Sequence, residues 1–178
     1  MQAIPTISVV ISSYEHGAYI RECINSVLEQ SWQDFEIIIT DDGSSDSTVE
    51  EIQSFKEPRI QLSTFKENLG AAIATNYGIS RAKGKYIAIL NSDDCFAPKK
   101  LATQIQFLQQ HPEIGAVFGW PALINEQGKS LEQSHHKDFE VFRVNNRPQS
   151  QWLRQFFDHG NCLCHPTVMV RKSCYAAV

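Results

Sequence analysis

No apolar run in this 178-residue chain approaches the ~20 residues needed to cross a bilayer. The first residues, Met1-Gln2-Ala3-Ile4-Pro5, lack the basic and apolar regions of a secretory signal, so placement in the cytosol is expected. Docking onto the inner face of a membrane stays open. Basic residues are not in excess: 16 Lys and Arg stand against 20 Asp and Glu, a net charge of −4, which gives no electrostatic reason for a nucleic-acid partner. The five cysteines, Cys23, Cys95, Cys162, Cys164 and Cys174, are odd in number and irregularly spaced, which argues for free thiols. Cys162-Leu163-Cys164-His165 is no zinc signature, because structural zinc pairs usually have two or more residues between them and no second pair follows. There is no G-x-G-x-x-G after the first strand and no G-x-x-x-x-G-K-[ST] anywhere, which argues against a dinucleotide Rossmann enzyme and a P-loop NTPase.

What is there is an alternation of strand and helix. Ile7 to Ile11 reads as a buried strand, and Ile20, Cys23, Ile24, Val27 and Leu28 recur at helical spacing. Phe35–Thr40 is a second strand, and Ser47-Thr48-Val49-Glu50 has the form of a capping box before Val49, Ile52 and Phe55. Arg59–Ser63, a helix from Ala71 to Ala82, Tyr86–Leu90, a helix from Pro98 with Leu101, Ile105 and Leu108 inward, and Ile114–Phe118 continue the series. The alternation implies a mostly parallel central sheet flanked by helices. Beyond Trp120 the pattern weakens. Asn125–Lys129 reads as a hairpin turn, Ser130–Asn146 as a polar loop holding solvated His135 and His136, Gln151–Phe157 as a helix and Thr167–Val170 as a last strand. With no repeat or linker, one domain over residues 1–178 is the economical reading.

Two strands end in acid. Ile37-Ile38-Ile39-Thr40 runs into Asp41-Asp42-Gly43-Ser44, and Tyr86-Ile87-Ala88-Ile89-Leu90 into Asn91-Ser92-Asp93-Asp94. Open α/β sheets bind ligands at the carboxyl ends of their strands, so two such deliveries point to a polar ligand with a divalent cation. If the second segment stays extended, Asn91 and Asp93 share a face and offer oxygen ligands to Mg²⁺ or Mn²⁺, while Asp41 and Asp94 turn away. Both segments are also ordinary turn chemistry. Tyr14 can stack on a base, and Asn68-Leu69-Gly70 before a helix offers backbone N–H groups to phosphate. His165 reads as a packed or surface residue.

These residues resemble the family 2 glycosyltransferases, through Ser8–Tyr14, Ile24–Ser31, Phe35–Thr48, Asn68–Gly70, Asn76–Ile79 and Gly84–Asp94 up to Pro98. The resemblance implies an α/β, Rossmann-like GT-A fold. It also implies inverting transfer of a sugar from a nucleoside diphosphate sugar, UDP first, to a glycan, lipid-linked or other acceptor hydroxyl, assisted by Mg²⁺ or Mn²⁺. Work on cell-envelope polysaccharide in bacteria, with peripheral membrane association open, goes with it. On that resemblance Ser12 and Tyr14 line the base pocket and Asp42 meets the base edge. Asn68 and Gly70 stand near phosphate. Asn91-Ser92-Asp93 occupies the D-x-D position, with Asp93 on the metal. Departures are Asn91 for the usual first Asp, Ser13 and Glu15 for Pro and Asn, and Thr75 for Arg; Glu15 would repel a diphosphate if it pointed inward. After Glu140 the only acid is Asp158, so the general base is expected beyond Val178, in a segment this chain lacks. A nucleotide-sugar-binding module without turnover is the alternative.

Overall fold

The computed structural model describes residues 4–131 and 141–175; His135 and His136 lie outside them. Continuous runs of Ile and Val make strands that are buried on both faces, as parallel strands under helices must be. Such runs form β1 (Ile7–Ser13), β2 (Phe35–Asp41) and β4 (Tyr86–Asn91). With β3 (Ile60–Thr64), β5 (Ala116–Val117) and β6 (Met169–Arg171) they build one sheet in the order β3-β2-β1-β4-β6-β5. The first four strands are parallel, whereas β6 runs antiparallel to β4 and to β5.

Alternate residues serve two cores. Val9, Ile11, Ile37, Ile39, Ala88 and Leu90 meet α1 (Ile20–Leu28) and α4 (Lys100–Gln110), while Val10, Ile38, Ile87 and Ile89 meet the opposite layer. That layer is α3 (Ala71–Arg81), which presses so close that a Cβ on Gly78 would lie 2.6 Å from Val10 Cγ1. The short α2 (Thr48–Gln53) precedes β3.

The sequence reading places most elements within two residues of these bounds, with instructive exceptions. The stretch Ile114–Phe118 yields only the two residues of β5. The expected capping box does not form: Ser47 makes no side-chain cap, and Asp46 Oδ1 instead accepts from Thr48 N at 2.9 Å. The helix after Pro98 begins at Lys100, behind a turn in which Lys100 N donates to Ala97 O.

The described chain divides into two compact units, one of residues up to Val117 together with those from Val168, the other Phe118–Thr167. The smaller holds the expected hairpin turn, closed by Asn125 N on Lys129 O with Gly128 at φ +70°, and α5 (Gln149–His159), where Trp152 stacks on Phe156. In the larger unit α6 (Lys172–Tyr175) follows β6. No helix among the described residues is long and apolar enough to cross a membrane.

Candidate functional site

Parallel register sets three strand ends level. Ser12 pairs with Thr40 on one side and Asn91 on the other, so the loops after β1, β2 and β4 leave the sheet along one edge. The chain thereby brings Ser12–His16, Asp41–Asp46 and Asn91–Asp94 together at the carboxyl ends of the strands.

The two carboxylates of the β2 loop are both buried and both engaged. Asp41 accepts from Ser13 Oγ (3.0 Å), Ser44 N (2.9 Å) and Ser44 Oγ (2.6 Å). Asp42 accepts from the backbone N–H of Leu69 and of Gly70, each at 2.8 Å. The N–H of Gly70 thus lies on Asp42, and it also donates to Asn68 Oδ1 at 3.0 Å. A carboxylate has about four lone-pair sites, so Asp42 keeps acceptor capacity beyond these two bonds.

Ser12 Oγ lies 3.2 Å from Thr75 Oγ1, in the second turn of α3. Tyr14 is 43% exposed and free to lie against a planar ligand. Glu15 sits at φ +53°, in the left-handed region that non-glycine residues seldom occupy. Its carboxylate is turned back onto Ser45, accepting from the N–H at 2.7 Å and the hydroxyl at 2.9 Å.

Asn91–Asp94 is a turn, closed by Asp94 N on Asn91 O at 3.1 Å, so the alternation of an extended strand does not apply there. Asn91 gives its amide to Asp94 Oδ2 at 2.9 Å and does not pair with Asp93. Ser92 is buried and Asp93 is exposed. Burial, and then the neighbouring charge of Asp93, raise the Asp94 carboxyl above the ordinary aspartate range, against the opposing pull of the Asn91 hydrogen bond and His16. Beneath the turn, Cys23 gives its thiol to Asn91 O at 3.4 Å, and burial pushes that thiol well up, which makes it inert. All five cysteines are free thiols.

Among the described residues no three His, Cys, Asp or Glu side chains gather as a metal cage. Mg²⁺ and Mn²⁺ sites on diphosphates do not need one, because one or two carboxylates with phosphate and water oxygens suffice. An exposed Asp93 beside a partly desolvated Asp94 fits that donor chemistry.

Two features escaped the sequence reading. Asp46 binds the loops together, accepting from Gly17 N at 2.9 Å while capping α2, and His16 touches Ser92 through its ring. Asp46 two residues before Thr48 is a legible local signal; the His16 contact spans 76 positions and leaves no local trace.

A mostly parallel sheet with an acidic carboxyl edge defines an open α/β protein with its candidate site at the strand ends. The model of glycosyl transferase family 2 matches residues 8–177, and the chain belongs to that family. An uncharacterized glycosyltransferase of Methanocaldococcus jannaschii is 30% identical over 172 residues, 94% of this chain and 56% of that protein. TuaG of Bacillus subtilis, provisionally named a teichuronic acid biosynthesis glycosyltransferase, is 36% identical over 134 residues, 74% of this chain and 53% of that protein. The chain spans about half the length of these relatives. Among solved structures, S. aureus TarS 1-349 in complex with UDP-GlcNAc superposes with a TM-score of 0.73 at 21% identity, over 97% of this chain and 47% of that one. The mannosyltransferase PcManGT of Pyrobaculum calidifontis, solved with GDP-Man and Mn²⁺, gives 0.60 at 26% identity, over 64% of this chain and 35% of that one. The fold is of GT-A type.

Proposed function

We propose that the acidic sheet edge holds a nucleoside diphosphate sugar, UDP-linked first, for inverting transfer to a glycan, lipid-linked or other acceptor hydroxyl. The observation that carries this reading is the delivery of Ser12, Asp42 and Asn91–Asp94 to one edge by three strands in register. The TarS structure with UDP-GlcNAc and the PcManGT structure with GDP-Man and Mn²⁺ support the donor class.

In this reading Ser12 and Tyr14 border the base, and Asp42 hydrogen-bonds its edge with the lone pairs that Leu69 and Gly70 leave free. Asn68 and Gly70 border the donor beside Asp42, which already holds the Gly70 N–H, Asn91 lies toward the ribose with Ser92 buried behind it, and Asp93 holds Mg²⁺ or Mn²⁺. The bound ion supplies charge neutralisation of the leaving diphosphate. Glu15, held on Ser45, keeps its charge out of the diphosphate's way. Envelope polysaccharide synthesis, in the cytoplasm or at the inner membrane face, is the setting we propose, in line with TuaG's name.

The acceptor-activating base is the second part of the proposal. Asp158, the only acid after Glu140, is paired with Arg154 at 3.2 Å, so we assign the base to a segment beyond this chain. The same observation favours a second reading, a module that binds donor without turnover.

Slow, Mn²⁺-dependent hydrolysis of the donor separates the two, because water can replace the acceptor but not the leaving-group stabilisation. The enzyme reading predicts hydrolysis by this chain and sugar transfer only by a form with the additional segment. Equal transfer by both forms contradicts the assignment of the base.

A further inference from the structure

We propose that His16 is a positioning residue: it fastens the Asn91–Asp94 turn to the loops after β1 and β2, and so fixes where Asp93 stands. This rests on the donor-site reading above.

His16 reaches three segments at once. Its ring Nδ1 lies 2.7 Å from Ser92 Oγ. Its backbone N–H donates to Thr48 Oγ1, at the start of α2, at 2.9 Å. Its carbonyl accepts from Tyr19 N and Ile20 N, both at 2.9 Å, where α1 begins. The Tyr19 ring meets the imidazole edge-on, with centroids 6.0 Å apart and planes at 83°. The imidazole is therefore held in place from both its backbone and its face.

Ser92 is the residue between Asn91 and Asp93, and it is 1% exposed. A hydroxyl at that depth needs a partner. Beyond the strand ladder that ends at Ser12 and Asn91, only one other bond reaches the turn from outside among the described residues. That bond is the long thiol contact of Cys23 with Asn91 O. The Asn91–Asp94 amide bond is internal and cannot locate the turn as a whole. Removing the imidazole would leave Ser92 Oγ buried and unpaired and the turn held chiefly by its strand.

The contact does not depend on charge. With the ring in its Nε2–H form the Ser92 hydroxyl donates to Nδ1, and with the ring protonated Nδ1–H donates to Oγ. The role is thus mechanical. Around it the two neighbouring loops are tied by Glu15 to Ser44 and Ser45 and by Gly17 to Asp46, so a turn fastened to His16 is fastened to the base-binding half of the edge.

The test compares His16→Leu, which loses the ring nitrogen, with His16→Asn, whose amide can occupy the position of Nδ1. Two quantities are read: exchange of the Asp94 amide in the ligand-free protein, and binding of UDP and GDP with Mn²⁺ against uridine and guanosine. His16→Leu is expected to speed Asp94 exchange and weaken the preferred diphosphate about tenfold, the equivalent of one buried hydrogen bond, while nucleoside binding holds. His16→Asn is expected to recover both. Wild-type exchange and diphosphate affinity in His16→Leu overturn the proposal, and so does an Asn variant as impaired as the Leu variant. If the wild type binds no diphosphate with Mn²⁺, the donor reading itself fails, and Asp94 exchange alone then decides whether His16 holds the turn.

Discussion

Lys100 opens α4 with its ammonium pulled inward, where it donates to Gln104 Oε1 at 2.9 Å and lies 4.0 Å from the centre of the Phe96 ring. Among the described residues no carboxylate pairs with it, and the first turn of a helix is itself an unfavourable place for positive charge. Burial brings its pKa down to about 7. The unfolded chain has the ordinary lysine value of about 10.4, so between these values the unfolded state binds more protons. Stability therefore rises with pH through that window, by up to about 1.4 kcal/mol per pH unit, and below pH 7 the folded state bears the full cost of the buried charge. Lys100→Met removes the charge and keeps the stem. Urea unfolding of this variant is expected to show a higher midpoint at pH 7 and a flattened rise above it; an unchanged slope contradicts the account. A residue of this kind is not legible in sequence, because Lys at the head of a helix reads as a solvated cation. Asp93 and Asp94 pose the same difficulty: they are adjacent in sequence, but one is exposed and the other partly desolvated because the chain turns at Asn91.

Strand and helix were read from the chain where periodicity was strong and contacts were local. The Ile runs of β1, β2 and β4 and the 3.6-residue spacing of α1 and α4 needed nothing else. Long-range pairing was beyond reach: β5 shrinks to two residues because it survives only where β6 covers it. The antiparallel direction of β6 depends on a chain path that no local pattern records. Arg171 of β6 secures that return, donating to Ile114 O (2.7 Å) and His111 O (3.0 Å) near the C-terminus of α4. At the opposite end of the strands from the candidate site, buried Glu36 joins three elements. It accepts from Ser8 Oγ (2.6 Å) and Lys83 N (2.7 Å) on one oxygen, and from Gln61 Nε2 (2.8 Å) on the other. Beside it the chain passes β1 so closely that a Cβ on Gly84 would lie 2.6 Å from Ser8 N. Glu36→Ala leaves buried donors unpaired and is expected to cost about 2–4 kcal/mol in denaturant unfolding. A loss below about 0.5 kcal/mol would show that the network is ornamental.

Over the whole chain, acidic charge gathers at one edge of the sheet. Asp41, Asp42, Asp46, Asp93 and Asp94 crowd the loops of one sheet edge in a chain of net charge −4. The first three are satisfied by hydroxyls and backbone N–H groups. Asp94 accepts the Asn91 amide, which leaves exposed Asp93 as the carboxylate we propose to meet a divalent ion. This division was half legible: the resemblance of the ordered motifs singled out Asp42 and Asp93, but not the serines and backbone groups that settle the remaining acids. The chain spans about half the length of its relatives, so donor binding is the property on which it can be judged by itself.

Donor binding at the acidic edge is checked by calorimetric titration of UDP-sugars and GDP-sugars into this chain, with and without Mn²⁺, for the wild type and Asp93→Ala. The account predicts tighter binding of one donor with Mn²⁺ than without, and an Asp93→Ala variant that keeps the metal-independent affinity but loses the Mn²⁺-dependent gain, about tenfold or more. Wild-type Mn²⁺ dependence in Asp93→Ala, or no donor binding by the wild type at all, would contradict it.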